Sequence, residues 1–220
     1  MKKKTFLLIV FAVFAIISCK NKSNDNSNQS NTNNTEVKNN KTSKGKYDFK
    51  SGIITLKSTV MGMEQKYVIY FDDYGKKEAT DVIMEMMGVK VHSRSFIKDG
   101  YIYSLEMNEK KGTKTKYVEN YTSNMDFNNI PEDIAKDMNL KKTGKETFMG
   151  KDCDVYTIDY KSMSTAGKFL VWKGIALKTE MNSGGTTVVM EATDIQENVR
   201  VDDDIFEIPS DFTIEEKLVE

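Results

Sequence analysis

The chain has 220 residues, with Lys+Arg 32 against Asp+Glu 33 and a formal net charge of -1. This balance argues against a nucleic-acid-binding protein, which would show a strongly basic face. The chain also has only two cysteines. The composition therefore indicates a globular body that depends on an ordinary apolar core, with a polar extension.

The first element is a leader over residues 1–18. Residues 2–4 are lysines and residues 6–17 form an uncharged apolar run, which is typical of a secretory signal. The run is too short to span a bilayer, which needs about 20 apolar residues. The tetrapeptide 16–19, Ile-Ile-Ser-Cys, resembles the lipobox of bacterial lipoproteins. That resemblance implies cleavage before Cys19 and acylation of its sulfur and new amino terminus; the alternative is an ordinary signal peptide with a chance cysteine.

Residues 19–46 are predicted to be the lipidated cysteine and a flexible tether. Nine of residues 20–46 are asparagine and Val37 is the only aliphatic residue, so this stretch cannot bury enough surface to order itself. Its expected span is on the order of 30 Å. Lys20 after the cysteine resembles the sorting signal for the outer membrane. We therefore expect a membrane partner through the anchor and a body, residues 47–220, on the periplasmic face.

From Tyr47 onward, apolar and polar residues alternate, which is the signature of half-buried strands. In the first strand Ile54 and Leu56 fall on one face, whereas Thr55 and Lys57 fall on the other. Further strands are predicted over residues 67–71, 78–87, 89–97, 101–107 and 114–118, with turns at 72–75, 98–100 and 110–113.

One helix is predicted over residues 131–139. Asn129 is the expected cap. Ile130, Ile134 and Met138 repeat at four-residue spacing, so a single apolar stripe should face inward.

Strands resume after the helix. They are predicted over residues 148–160, bent or paired around 149–151, and over 168–172, 175–181 and 186–195. The body is therefore expected to be one antiparallel sheet of roughly nine to eleven strands, which must curl, close or be covered.

Catalysis has little support in the sequence. His92 is the only histidine, and it lies on the polar alternate of its strand, so we expect it to face solvent. A zinc site needs three or four ligands from histidine, cysteine and acids. The acidic run 202–204 lacks the pattern of an EF-hand and is interpreted as a solvated helix start before Ile205 and Phe206. We predict no enzyme activity, no metal and no cofactor.

Cys153 is predicted to be a structural thiol on the buried side of a strand. If Cys19 carries lipid, Cys153 has no disulfide partner within the chain. The flanking Asp152 and Asp154 would raise the pKa of the thiol, which disfavours the alternative of a redox-sensitive cysteine.

Methionines recur at alternate strand positions, for example Met61 with Met63 and Met84 with Met86. Methionine fills irregular cores, and it also suits surfaces that must fit varied apolar partners. Both interpretations stay open.

The carboxy-terminal half resembles the outer-membrane lipoprotein-sorting superfamily, which includes the lipoprotein carrier, its receptor and related lipid-binding lipoproteins. The resemblance lies in residues 144–153, in the hairpin 169–178 and in the acidic turn, phenylalanine and proline of 202–209. It also extends to a related lipoprotein domain of unknown function. It implies a mainly β fold, a strongly curved antiparallel half-barrel with a few helices covering the concave side, and a cavity that holds acyl chains.

These observations predict an envelope lipoprotein that binds an acyl chain or lipid in the half-barrel. The alternative is a non-enzymatic structural or protein-interaction lipoprotein with a filled core, whose protein partner the sequence does not name. The predicted helix should cross the open side of the sheet. The predicted ligand-binding residues on the concave face are Leu56, Ile69, Met84, Met86, Tyr103, Leu105, Met107 and Leu177.

Overall fold

The computed structural model describes residues 45–60, 63–86, 88–117 and 125–217. Most of these residues belong to one open sheet of twelve strands. The strands are β1 (Gly52–Val60), β2 (Met63–Asp72), β3 (Lys77–Met86), β4 (Val89–Lys98), β5 (Tyr101–Glu106), β6 (Lys111–Lys116), β7 (Lys141–Phe148), β8 (Lys151–Tyr160), β9 (Thr165–Trp172), β10 (Ile175–Ser183), β11 (Thr186–Glu197) and β12 (Thr213–Lys217).

The helices in the described part of the chain are short. They are α1 (Glu132–Asp137) and 3₁₀ turns at Asp73–Gly75, Lys161–Met163 and Asp203–Phe206. None of these described helices has the length and hydrophobicity that a membrane span requires.

The sheet consists of two meanders that meet at its centre. The spatial order is β12-β6-β5-β4-β3-β2-β1-β11-β10-β9-β8-β7. Neighbouring strands are antiparallel throughout, except for the parallel pair of β12 with β6. The mainly β, antiparallel part of the prediction is confirmed, and the sheet is open. The strong curvature and the helices on a concave side remain predictions.

The largest differences from the sequence prediction concern β6, β7 and β12. β6 begins at Lys111, inside a predicted turn, and β7 begins at Lys141, before the segment predicted from residue 148. β12 lies beyond the last predicted strand.

The central core lies on β1 and β11, their neighbours and the segment that precedes β1. In β1, Ile54 and Leu56 are almost fully buried whereas Lys57 is exposed, as the alternation predicted. The buried members of this core are Tyr47, Phe49, Ile54, Leu56, Phe71, Cys153, Val155, Leu170, Ile175, Leu177 and Ala192.

A second core forms where the carboxy-terminal segment crosses β3 to β5. The 3₁₀ turn at Asp203–Phe206, which takes the place of the predicted helix start, inserts Phe206 against Phe96 and Leu105. The segment then enters β12, where Ile214 packs over Gly112 so closely that a Cβ at Gly112 would lie 2.8 Å from it.

A third core joins α1 to β8 and β9. Ile134 and Met138 pack with Ile158, Phe169 and Val171. The inward-facing stripe of the predicted helix is therefore present, although α1 is shorter than predicted. The cap prediction is wrong, because Pro131 takes the cap position and the Asn129 amide donates to Asp126 Oδ2 at 2.9 Å.

The segment 45–50 is fixed to one end of the sheet. The Tyr47 backbone N–H donates to the Tyr74 carbonyl at 3.1 Å, and the buried Tyr47 hydroxyl donates to Glu78 Oε2 at 2.6 Å. Burial, and then the Glu78 carboxylate, hold the pKa of Tyr47 well above its usual value. Lys46 Nζ also lies 2.8 Å from Glu78 Oε2, so the first described residues are held by buried polar contacts.

Candidate functional site: an uncharged face of the sheet

The pairing register aligns alternate residues of β2 to β6 on one side of the sheet. Ile69 lies opposite Thr80, Thr80 opposite Ser95, Ser95 opposite Ser104, and Ser104 opposite Thr113. Directly opposed residues share a face. This surface, which we call the uncharged face, consists of Tyr67, Ile69, Thr80, Val82, Met84, Val91, Ser93, Ser95, Ile97, Ile102, Ser104, Thr113 and Thr115.

The uncharged face has an apolar zone and a hydroxyl zone. The apolar zone lies on β2 to β4 and contains Val82, Met84 and Val91, while β4 to β6 contribute mostly serine and threonine. All of its members are partly buried except Ile97, which is 45% exposed. Such a surface can remove an apolar chain from water and can offer hydroxyl groups to a polar but uncharged group.

Charged residues border this face rather than interrupt it. Glu106 lies opposite Lys111 at one side. At the end where β3 begins, the Glu78 carboxylate accepts hydrogen bonds from Lys46 and Tyr47. Val89, next to the apolar zone at the opposite end of β4, is 63% exposed.

The eight predicted ligand-binding residues do not lie on one face. Ile69 and Met84 belong to the uncharged face. In the register of β3 and β4, Met86 pairs with Val89. Leu56 lies opposite Tyr67 and therefore on the same side of the sheet, and both Leu56 and Leu177 are buried there in the central core.

Tyr103, Leu105 and Met107 pack instead in the second core, against the carboxy-terminal segment. Because Ser95 lies opposite Ser104, the neighbouring residues Tyr103 and Leu105 point to the other side of the sheet. The prediction that these three residues share the face of Met84 is wrong.

The surface beneath α1 is filled by side chains. The Phe127 ring lies 5.2 Å from Tyr156 and 5.3 Å from Phe169 between ring centroids. Met138 is 3% exposed and Ile130 is 8% exposed. The helix thus covers a packed core on this part of the sheet.

Two shallow depressions occur elsewhere on the described surface, with volumes of about 340 and 350 Å³. Their linings are mainly polar: Lys57, Ser58, Thr59, Thr187, Val189 and Glu191 in the first, and Lys136, Asp137, Asn139, Asp159, Lys161 and Ser162 in the second. Sites for small apolar ligands are lined mostly by apolar side chains. Neither depression contains a predicted ligand-binding residue.

On the side opposite the uncharged face, a buried ion cluster surrounds Asp81. This carboxylate is 3% exposed and accepts hydrogen bonds from Arg94 Nε at 2.6 Å and Nη2 at 2.9 Å. His92 Nε2 lies 2.9 Å from Asp81 Oδ2. The hydrogen bond to Asp81 raises the pKa of Arg94. The expectation that His92 faces solvent is wrong, because its ring is about three-quarters buried and engages Asp81.

The cluster does not have the layout of a catalytic triad. Within the described residues, the His92 ring bonds to Asp81 and to no serine, threonine or cysteine. Asp81 is held by the bidentate Arg94, an arrangement that fixes one ion pair beneath the sheet. The described residues also contain no group of three or more histidine, cysteine or acidic side chains arranged to hold a metal ion.

Cys153 is buried within the central core, with no exposed surface. Burial raises the pKa of its thiol, and nearby Asp152, Asp154 and Glu146 raise it further, whereas a backbone N–H at Phe148 lowers it. These surroundings keep the thiol protonated. Cys19, the predicted acylation site, and Met61 lie outside the described residues.

No protein-family model matches the sequence, and no curated protein matches it. Among solved structures, an uncharacterized conserved protein from Thermus thermophilus is similar, with a TM-score of 0.52 at 8% identity over 76% of this chain and 91% of that chain. At this identity the likeness is one of fold.

Two further solved structures are more distant. The MucA/MucB complex of Pseudomonas aeruginosa gives a TM-score of 0.48 at 12% identity, over 73% of this chain and 56% of that chain. A putative outer membrane lipoprotein-sorting protein domain from Vibrio parahaemolyticus gives 0.39 at 10% identity, over 71% of this chain and 89% of that chain.

Proposed function

We propose that this protein is a lipid-anchored protein of the bacterial cell envelope that binds an apolar ligand, an acyl chain or a lipid, on the uncharged face. The observation that supports the proposal is the face itself: a broad surface across β2 to β6 whose members are uncharged and mostly half-buried. A ligand laid over it would replace water on the apolar zone.

The apolar zone determines the ligand class. Val82, Met84 and Val91 lie on adjacent strands, so an extended hydrocarbon chain can contact them together. Burial of hydrocarbon contributes about 0.8 kcal/mol per CH₂ group, so a chain of several CH₂ groups could bind without any charged contact. Methionine adapts its shape to such a chain. The hydroxyl zone beside it can hydrogen-bond an ester or hydroxyl group at the end of the chain.

The ligand test compares the lipid content of matched variants. Mature protein purified from its native membrane is extracted and the lipid measured by mass spectrometry. Met84→Asp places a carboxylate in the apolar zone and should reduce the bound lipid, whereas Met84→Leu should retain it. Val189→Asp is the control, because Val189 is 36% exposed and lies on the opposite side of the sheet. Wild-type protein without bound lipid, or equal lipid in both Asp variants, would overturn the proposal.

The envelope location is part of the proposal. It is supported by the leader and the lipobox-like residues before Cys19. A lipid-anchored body needs acyl chains to stay firmly on a membrane. Cys19→Ser should leave an uncleaved, unacylated precursor, and normal processing of that variant would contradict the anchor. Labelling of the wild-type body by an impermeant reagent on intact cells would contradict the periplasmic face.

We also infer that the protein is not an enzyme. The inference is supported by the arrangement around His92, whose ring engages an aspartate already occupied by Arg94. His92→Gln should keep the lipid content of the wild type. Turnover of an envelope lipid that disappears in this variant, with folding unchanged, would contradict the inference.

The second candidate is a non-enzymatic structural or protein-interaction lipoprotein of the envelope. It is favoured by the packed core beneath α1, which leaves that side of the sheet filled. On this alternative, purified protein carries no lipid, and Met84→Asp weakens capture of a protein partner instead.

A further inference from the structure

One corner of the sheet brings the first described residues next to two hairpin turns. The Asp48 backbone N–H donates to the Lys173 carbonyl at 3.2 Å, and the Phe49 ring lies 5.9 Å from the Trp172 ring between centroids. Lys151, the first residue of β8, has its Nζ 4.2 Å from the Trp172 ring centroid. We call residues 45–50, 149–151 and 172–174 the tether corner.

Trp172 is the centre of this corner. Lys173 Nζ lies 4.5 Å from its ring centroid, so the partly exposed indole has an ammonium group from each of two lysines beside it. The two ammonium groups also meet at Glu197, at 3.2 Å from Lys151 and 2.7 Å from Lys173. Protein surfaces at a membrane–water interface are rich in tryptophan and lysine. The methylene chain of such a lysine lies on apolar surface while its ammonium group reaches water.

Met149 adds an exposed apolar side chain at the tip of the β7–β8 turn. It is 44% exposed, and its φ of 51° is in the left-handed region that non-glycine residues disfavour. Other two-residue links between paired strands carry Asp99, Lys173 and Gly184 at this position, and the sequence has methionine before glycine at 61–62 and 87–88 as well. The contribution of Met149 to this corner is the apolar surface that it exposes beside Trp172.

We propose that the tether corner rests on the surface of the lipid bilayer that holds the Cys19 acyl chains. The contact presupposes the anchor proposed above. Residues 20–44 join Cys19 to Gly45, and the chain enters the body at this corner. The tether predicted for these residues, with its expected span on the order of 30 Å, would keep the corner at a high effective concentration near the bilayer. A small interfacial patch is then sufficient to orient the body.

The near-balance of charge in the tether corner predicts a membrane contact that does not depend on anionic lipid. Its four lysines, at 46, 50, 151 and 173, are nearly balanced by Asp48 within it and by the bonded Glu78 and Glu197. The contact should therefore form on zwitterionic lipid and change little with salt, unlike polybasic surfaces that need anionic lipid. Met149 and the Trp172 indole would supply the apolar area.

The test uses Trp172, which is the only tryptophan of the chain. Mature acylated protein is reconstituted into phosphatidylcholine vesicles with or without brominated acyl chains, which quench nearby indole fluorescence. Brominated lipid should cause a loss of Trp172 emission, and the loss should be smaller in Met149→Asp. In the control the reporter is moved by Trp172→Phe with Val189→Trp. Val189 is 36% exposed and pairs with Thr59 near the far end of β1, on the side opposite the uncharged face, so this reporter should keep its emission.

Two outcomes overturn the inference: no loss of Trp172 emission in protein that floats with the vesicles, or an equal loss from the reporter at position 189. Mass spectrometry of the same protein shows whether Cys19 is acylated, so a failed anchor is distinguished from a failed contact. If the chain is not acylated, the quenching is measured at high lipid concentration, and unchanged emission again overturns the contact.

Discussion

Removing Arg94 should be among the most damaging single substitutions in this protein. Arg94 donates two of the three hydrogen bonds that Asp81 accepts, at 2.6 and 2.9 Å. Arg94→Leu leaves the 3%-exposed carboxylate with His92 as its remaining partner in this cluster. The aspartate cannot move to solvent, because it lies in the middle of β3 between Val68 and the position of Arg94.

The expected cost follows from the burial of the pair. Breaking a buried ion pair by removing one partner costs about 3–5 kcal/mol, because the other charge remains buried. Folded domains are stable by about 5–15 kcal/mol in total, so this loss is a large fraction. In a domain of this size it corresponds to a fall in Tm of about 6–20 °C. Arg94→Lys should cost less, since it keeps the charge but loses the two-pronged geometry.

The measurement is urea unfolding followed by far-UV circular dichroism. The matched control is the double variant Asp81→Leu with Arg94→Leu, which removes both charges and should be clearly more stable than Arg94→Leu alone. A loss of less than about 1 kcal/mol in the free energy of unfolding of Arg94→Leu would mean that the pair contributes no more than an exposed salt bridge, and would refute the reasoning. A double variant no more stable than the single one would do the same.

Three further predictions concern the packed parts of the fold. Cys153→Ala should cost about 1–2 kcal/mol by urea unfolding and leave lipid content unchanged; lost lipid at unchanged stability would revive a redox role. Hydrogen bonds from Lys173 and Lys151 lower the pKa of Glu197. The ionised Glu197 carboxylate therefore stabilises the fold above the ordinary carboxyl pKa, and this stabilisation is lost as pH falls through the lowered pKa. Wild type should therefore lose more stability than Glu197→Gln between pH 7 and pH 3, and parallel pH profiles would contradict this. Gly174→Ala should destabilise more than Gly150→Ala: both have positive φ, but only at Gly174 would the Cβ meet a backbone atom, the Lys46 carbonyl at 2.4 Å. Equal urea midpoints would show that this close contact relaxes.

The alternation of apolar and polar residues predicted the antiparallel sheet well, because it is a local signal of half-buried strands. The alternation does not reveal which side of the sheet is covered. In β3 the residues Val82 and Met84 point to the uncharged face, whereas Ala79 and Asp81 point to the covered side. In β5 the apolar alternates point to the covered side instead. The sequence prediction was wrong for β5 because the pairing register across the two-residue turn between β4 and β5 determines which residues of the two strands share a face. Hydrophobicity alone does not determine it.

The carboxy-terminal segment explains the remaining differences. It packs across β3 to β5 through residues far away in the sequence, so local patterns give no sign that the polar alternates near His92 are covered. β12 was also missed. Its five residues contain one apolar side chain, Ile214, and its parallel partner β6 is about one hundred residues earlier.

Charge is distributed differently over the edge strand β7 and over the uncharged face. The edge strand β7 has an unpaired outer side among the described residues, and it carries Lys141, Lys142 and Lys145. Lysines at a sheet edge prevent pairing with another chain. The uncharged face is partly exposed, yet none of its members carries a charge. A single lysine in place of Thr80 or Ser95 would protect it at little cost, because both positions are only partly buried. The chain thus protects its edge and leaves this face free of charge, which is the arrangement expected of a surface that takes an apolar ligand.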